Sequence, residues 1–216
     1  MSKLGNAKIL GGIGAILTLI GSFFGILAIV VSMLILCLFA HSGSFFGILA
    51  IVGLVMLFIA VKYVAEEAKE ENIFKNYLMY FIFSLVAIIA GVAIIFVSIG
   101  GSIFNFTKII QEISEETKVT GFTEGLIKLF AGIIFALIVA WILMIIASVY
   151  LRKSYDKIAE YSKVDLFRTT GMFYFIGAIT LIIIVGAIII FIAKILEIVS
   201  FFSLPEEFPK AEAPVQ

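Results

Sequence analysis

The chain has 216 residues, of which 63% are hydrophobic and 14% charged, and its fifteen basic residues balance fifteen acidic ones. Soluble domains are roughly 45–50% apolar and about 25% charged, so a water-soluble globular fold is excluded, and zero net charge excludes the basic surface of a nucleic-acid binder. One cysteine, Cys37, and one histidine, His41, cannot form a disulfide framework or a Cys/His metal centre.

Asp, Glu, Lys and Arg are absent from four stretches, residues 9–61, 76–107, 129–151 and 169–193. A crossing takes about 20 apolar residues. The first stretch is long enough for two and divides at His41-Ser42-Gly43-Ser44, where Gly and Ser let the backbone turn. The reading is an all-α, polytopic transmembrane helix bundle of about five spans, near 10–39, 45–63, 77–100, 126–151 and 170–196, making residues 1–203 one transmembrane domain. A continuous first helix would be roughly 48 Å long at about 1.5 Å per residue. It therefore tilts into the headgroups or breaks at Gly21-Ser22.

Within that stretch the decapeptide Gly21–Val30 recurs, identical, at Gly43–Val52. The identity points to a local tandem duplication, which either supplied a fifth crossing or lengthened an existing hairpin. The second copy runs into a well-sized span, so Gly47 is expected to matter more for packing than Gly25. The long run after Lys3 and Lys8 exceeds the roughly 7–15 residues of a signal-peptide core, so no cleaved leader is expected.

Further along, Phe106, Ile109, Ile110 and Ile113 oppose Lys108, Gln111, Glu112 and Glu115. This describes either a short interfacial helix or an extension of span three. Thr123, after Gly121, is an N-cap candidate for span four. Tyr63, Glu67 and Ile73-Phe74-Lys75 can be laid on Asp156, Glu160 and Leu166-Phe167-Arg168 at an offset of 93, which suggests a helix-pair repeat. Lys and Arg are concentrated in the N-terminal segment and in loops 62–75 and 151–168, which places these in the cytoplasm of a cell-membrane protein, with the C-terminus outside. The tail, 204–216, holds all three prolines and three glutamates and is expected to be disordered.

Small residues four apart let helices approach closely where lipid supplies no hydrophobic drive between them. Gly21/Gly25, Gly43/Gly47 and Gly132/Ala136/Ala140 are the candidate packing positions, with Ala87/Gly91 in addition. They serve either the bundle itself or a homodimer. No run contains an ionisable residue except His41, at a turn, so coupling through an intramembrane carboxylate is not expected. Catalytic, cofactor and metal residues are none: Gly-x-Ser-x-Gly and His-Glu-x-x-His are missing, and Gly11-Gly12-x-Gly14 lacks the context of a phosphate loop.

Several segments together resemble the uncharacterised membrane-protein family called domain of unknown function 996. They are Ala7–Ile16, Ile73–Leu78, Val164–Arg168, Tyr174–Ala178 and Phe201–Pro205. The resemblance implies a prokaryotic, archaeal source and a membrane location, and it transfers no site residues. The function expected is non-enzymatic helix packing and partner binding. The partners are the lipid bilayer and either a second copy or another membrane protein, with no nucleic acid. A small transporter or channel subunit is the alternative; a polar cavity lined by Ser84, Ser98, Ser148, Tyr150 and Thr180 would favour it.

Overall fold

In hydrocarbon every backbone N–H and C=O must be satisfied within its own segment, so apolar runs of this length fold as helices. The computed structural model describes residues 2–34, 40–112, 119–183 and 185–209. They form α1 (Lys3–Leu34), α2 (Ala40–Ala68), α3 (Glu71–Glu112), α4 (Val119–Ser162), α5 (Leu166–Thr180), a 3-10 turn (Leu181–Ile183) and α6 (Val185–Phe202), with no strand among the described residues. Cys37 lies outside them, whereas His41 falls in the first turn of α2. Helices overrun the apolar stretches into their charged flanks: α1 starts at Lys3 and α4 at Val119, so Thr123 lies inside α4 rather than capping it. Residues 103–112 continue α3 without a break, which makes them the extension and not a separate interfacial helix; 113–118 lie outside the described residues.

Six helices, rather than five, are long and apolar enough to cross a membrane. The difference lies in residues 170–196, expected as one span, which fold back on themselves as α5 and α6. Two glycines permit this. A Cβ on Gly177 would lie 3.2 Å from the carbonyl oxygen of Gly186 and 2.7 Å from the Ile190 side chain. The Thr180 hydroxyl donates to the Ile176 carbonyl at 2.8 Å, ending α5 with a polar group satisfied by its own helix.

The chain divides into two compact units, residues 1–80 with 148–216, and residues 81–147. In the larger unit α1 and α2 run antiparallel, and their closest approach is at glycine. A Cβ on Gly14 would lie 2.7 Å from the Gly53 carbonyl oxygen, and one on Gly21 the same distance from that of Phe46. Gly21 is thus a packing position on the same face of α1 as Gly14, seven residues earlier. At Gly47 a Cβ would meet nothing within 4 Å, so that expected contact is corrected. The surroundings of Gly25 and Gly43 lie outside the described residues. In the smaller unit Ala87 on α3 and Ala136 on α4 are buried, and a Cβ on Gly91 would touch that of Ala140 at 3.7 Å. Gly132, one turn before Ala136, is half-buried.

The turns α2–α3 and α4–α5 are copies of one another. Lys69 and Lys163 both have positive φ, 53° and 58°. Ile73 N–H donates to the Glu70 carbonyl, and Phe167 N–H to that of Val164. Burial repeats in the same register: Leu57, Val61, Val64, Ala65 and Ile73 match Leu151, Tyr155, Ile158, Ala159 and Phe167. The offset is 94, one residue from the 93 that the side-chain types suggested. Lys69 closes α2 as the left-handed residue of a Schellman motif, since its N–H reaches the Glu66 carbonyl and that of Glu70 reaches Ala65.

Residues from both flanks of the chain, 2–3 and 204–208, meet these turns. Lys3 pairs with Glu66 at 2.9 Å, the Ser2 hydroxyl donates to the Glu206 carbonyl at 2.9 Å, and the Tyr161 hydroxyl donates to Glu70 at 3.2 Å. Leu204 is fully buried and the Phe208 ring stands 6.4 Å from that of Tyr161. Residues 204–209 therefore pack on the bundle at the same end as Ser2 and Lys3, not opposite them; 210–216 lie outside the described residues. The even number of helices is the reason.

Two outcomes follow from this packing. Gly21→Leu should lower stability by about 1–3 kcal/mol or more through overpacking, whereas Gly47→Leu should stay within about 0.5 kcal/mol; thermal unfolding in detergent reads both. In a Cys37→Ala background, single cysteines at Glu70, Glu160 and Glu207 should label with an impermeant thiol reagent from one side only, the same side for all three. Opposite labelling at position 207 would contradict the six-helix arrangement.

Candidate functional site

The buried stripe of α6 comprises Gly186, Ala193, Glu197, Ser200 and Phe201, continued by Leu204 beyond the helix. This is helical spacing, and it places an acid where a core residue belongs. Glu197 is 3% exposed. Its carboxylate is held from two helices: the Tyr155 hydroxyl of α4 donates to Oε1, and the Tyr174 hydroxyl of α5 donates to Oε2 at 2.8 Å. Lys194, one turn back on α6, brings Nζ to 3.9 Å from Oε2 and stands 5.9 Å over the Tyr174 ring.

Around this centre the polar groups are satisfied in turn. Thr170 and Ser200 hydroxyls lie 3.0 Å apart, and each also reaches a carbonyl of its own helix. Buried Ser154 donates to the Ile73 carbonyl at 2.8 Å, tying α4 to α3. The Tyr77 ring stacks on that of Tyr155 at 6.5 Å, and Tyr155 meets Phe167 edge-on at 5.6 Å. Taking a carboxylate out of water costs several kcal/mol, and each hydrogen bond to a charged group returns about 1.5–3 kcal/mol. Losing one phenol would leave a buried acceptor unpaired.

Chemically, the arrangement can hold a proton or a negative charge. Among the described residues no group of three or more His, Cys, Asp or Glu is placed to hold a metal. Glu197 is five residues from the end of α6 at Phe202, roughly 8 Å along the axis. It therefore sits just inside the end of the bundle that carries the paired turns.

Two cavities flank the larger unit. One, of about 480 Å³, is an apolar groove between α1 and α6 lined by Leu19, Phe23, Ile188 and Phe191, with Lys194 at its edge. The other, of about 450 Å³, is polar and lies where α3 begins, α4 ends and α5 begins. Ser84, Ser148, Tyr150 and Thr180 line neither cavity, and the side chain of Ser98 lies outside the described residues. Beside the α2–α3 turn, the Asn72 side chain and backbone N–H donate to Glu70 at 2.6 and 3.2 Å and hold its carboxyl below the usual range.

The packing glycines and alanines fall in both units: Gly21 belongs to the larger, and Gly132, Ala136 and Ala140 to the smaller. Sequence reading missed Glu197 and Lys194 because the last charge-free run ends at Ala193. A usable signal was present. Apolar residues resume as Ile195-Leu196 and Ile198-Val199 around the pair, and opposite charges three apart on a helix can neutralise each other.

The family described as "Protein of unknown function (DUF996)" matches residues 49–195. The archaeal "Uncharacterized protein MJ1644" of Methanocaldococcus jannaschii is 33% identical over 206 residues, covering 95% of each chain. No solved structure matches. The match over most of the length, together with an apolar all-helical bundle, means that the chain belongs to the DUF996 family.

Proposed function

We propose that this is a non-enzymatic, multi-pass protein of the cell membrane that acts by packing its helices and binding a partner within the bilayer. The closed coordination of Glu197 carries the reading. Both carboxylate oxygens are occupied by phenols from two other helices, which makes the acid a fastener of α4, α5 and α6. In the smaller unit Ile88, Ile89, Phe135 and Leu137 are exposed, a surface suited to lipid chains or to a helix of a second copy or another membrane protein. The paired turns and the N-terminus hold ten of the fifteen Lys and Arg residues, against three in segment 108–128, which supports a cytoplasmic position for loops 62–75 and 151–168. Cysteines at positions 70 and 160 should then stay unlabelled until the membrane is broken.

A second reading, a small transporter or channel subunit, is favoured by one observation: Glu197 is an ionisable group inside a membrane-spanning helix. Such groups are default candidates for ion or proton pathways. The two readings separate experimentally. As a fastener, Tyr155→Phe and Tyr174→Phe should each lower stability by about 1.5–3 kcal/mol. Glu197→Gln, which keeps an acceptor, should cost less. In proteoliposomes carrying an enclosed pH-sensitive dye, wild type should equilibrate a proton gradient no faster than empty vesicles. A flux that Glu197→Gln abolishes would replace the fastener reading with the transport one.

A further inference from the structure

The polar cavity at the membrane end of the larger unit is built from three helix ends, and its donors are only partly used. Lys157 pairs with Glu160 at 3.1 Å, so those two charges answer each other. Lys153 has no carboxylate within pairing distance among the described residues; its ammonium stands 5.5 Å over the Tyr150 ring. Arg168 approaches Asp156 and Asp165 only to 3.9 and 3.8 Å, beyond hydrogen-bond reach, so its guanidinium keeps its donors. The side-chain amide of Asn76 makes no hydrogen bond among the described residues. On the acceptor side, Asp156 Oδ1 is shielded from solvent and has no hydrogen-bond partner; Arg168 Nε faces it at 3.9 Å, and Arg152 Nε stands 3.8 Å from Oδ2.

Two cations and an amide around one space, with a guanidinium able to bind through two N–H groups, suit a tetrahedral phosphate oxyanion. The Asp156 oxygen, near a cation but without a hydrogen bond, suits a hydroxyl or amine close to that phosphate. We propose that this cavity binds a phosphate ester bearing a neighbouring hydroxyl or amine, with the phosphate on Lys153, Arg168 and Asn76 and the donor on Asp156. This chemistry is that of a glycerol- or ethanolamine-type phospholipid headgroup, and also of a soluble phosphate ester. The site lies beyond the Glu197 cluster and depends on neither reading of it.

The test uses the full chain purified in mild detergent. Native mass spectrometry reads retention of phosphatidylglycerol, phosphatidylethanolamine and phosphatidylcholine, and calorimetry reads binding of glycerol 3-phosphate. The first two lipids should be retained over phosphatidylcholine, whose quaternary ammonium has no N–H. Arg168→Gln and Lys153→Gln should each weaken retention roughly tenfold, the loss of one charge-assisted contact. Arg168→Lys should restore part of it. Lys75→Gln, an exposed cation at the same end, should leave retention unchanged. Should Arg168→Gln unfold, Lys153→Gln carries the test, because Lys153 has no ion pair to lose. Lipid retention with no glycerol 3-phosphate binding assigns the site to a headgroup, and the reverse assigns it to a soluble ester. Equal weakening by Lys75→Gln, equal retention of phosphatidylcholine, or no binding of any probe would overturn the proposal.

Discussion

Helices surrounded by hydrocarbon gain nothing by hiding apolar surface from one another, since lipid is as apolar as a leucine. What joins them must be close approach of backbones or buried polar bonds. Both devices are present in the larger unit, and they divide the work. Gly14, Gly21 and Gly53 bring α1 and α2 within backbone contact, while Gly177 and Gly186 do the same for α5 and α6. Where glycine is lacking, hydroxyls take over: Ser154 on the Ile73 carbonyl joins α4 to α3, and Tyr155 and Tyr174 join α4 and α5 to α6.

The duplicated turn gives this arrangement its frame. Two helix pairs, α2–α3 and α4–α5, present the same buried positions and the same left-handed lysine, although a Cβ in that conformation is disfavoured by about 1 kcal/mol. Burial retained over such different side chains as Val61 and Tyr155 indicates that the register, not the residue type, is the shared property. Tyr80 and Tyr174 are equivalent in this register, so one tyrosine of the Glu197 cluster has a counterpart in the first copy. The charged end of the bundle follows from the same frame, since both turns expose their polar residues on one side, where Lys3 pairs with Glu66 and Phe208 meets Tyr161.

Much of this was legible in the sequence. Four charge-free stretches gave the helices their places, the spacing Ala87/Gly91 and Ala136/Ala140 marked the seam of the smaller unit, and the loop resemblance came within one residue of the repeat's register. The failures have physical causes. The turn between α5 and α6 is made of Leu181, Ile182 and Ile183, with no charge, proline or polar residue to reveal it. A helix that is apolar all round carries no periodic signal of which face packs, so Gly47 could not be told from Gly21. Glu197 was hidden because a charge normally marks the end of a span, and here it occupies the core stripe.

A leucine at position 197 would fill the stripe, and buried ion pairs replaced by apolar residues are often as stable or more so. Stability alone therefore does not explain an acid there. Apolar contacts between smooth helices permit sliding and rotation, whereas a carboxylate bonded to one hydroxyl from α4 and another from α5 accepts a single relative placement of three helices. The repeat points to where this is needed. In the first copy the position of Tyr155 is Val61, which has no hydroxyl to offer. The second copy is followed by α6, and its tyrosine reaches across to that added helix. Lys194, one turn deeper and only 21% exposed, offsets the acid within the same helix, so that α6 can enter the membrane with its two charges opposed. The Tyr155–Glu197 bond thus marks the place where the second hairpin departs from the first, and where the last helix is fastened to the frame the two hairpins share.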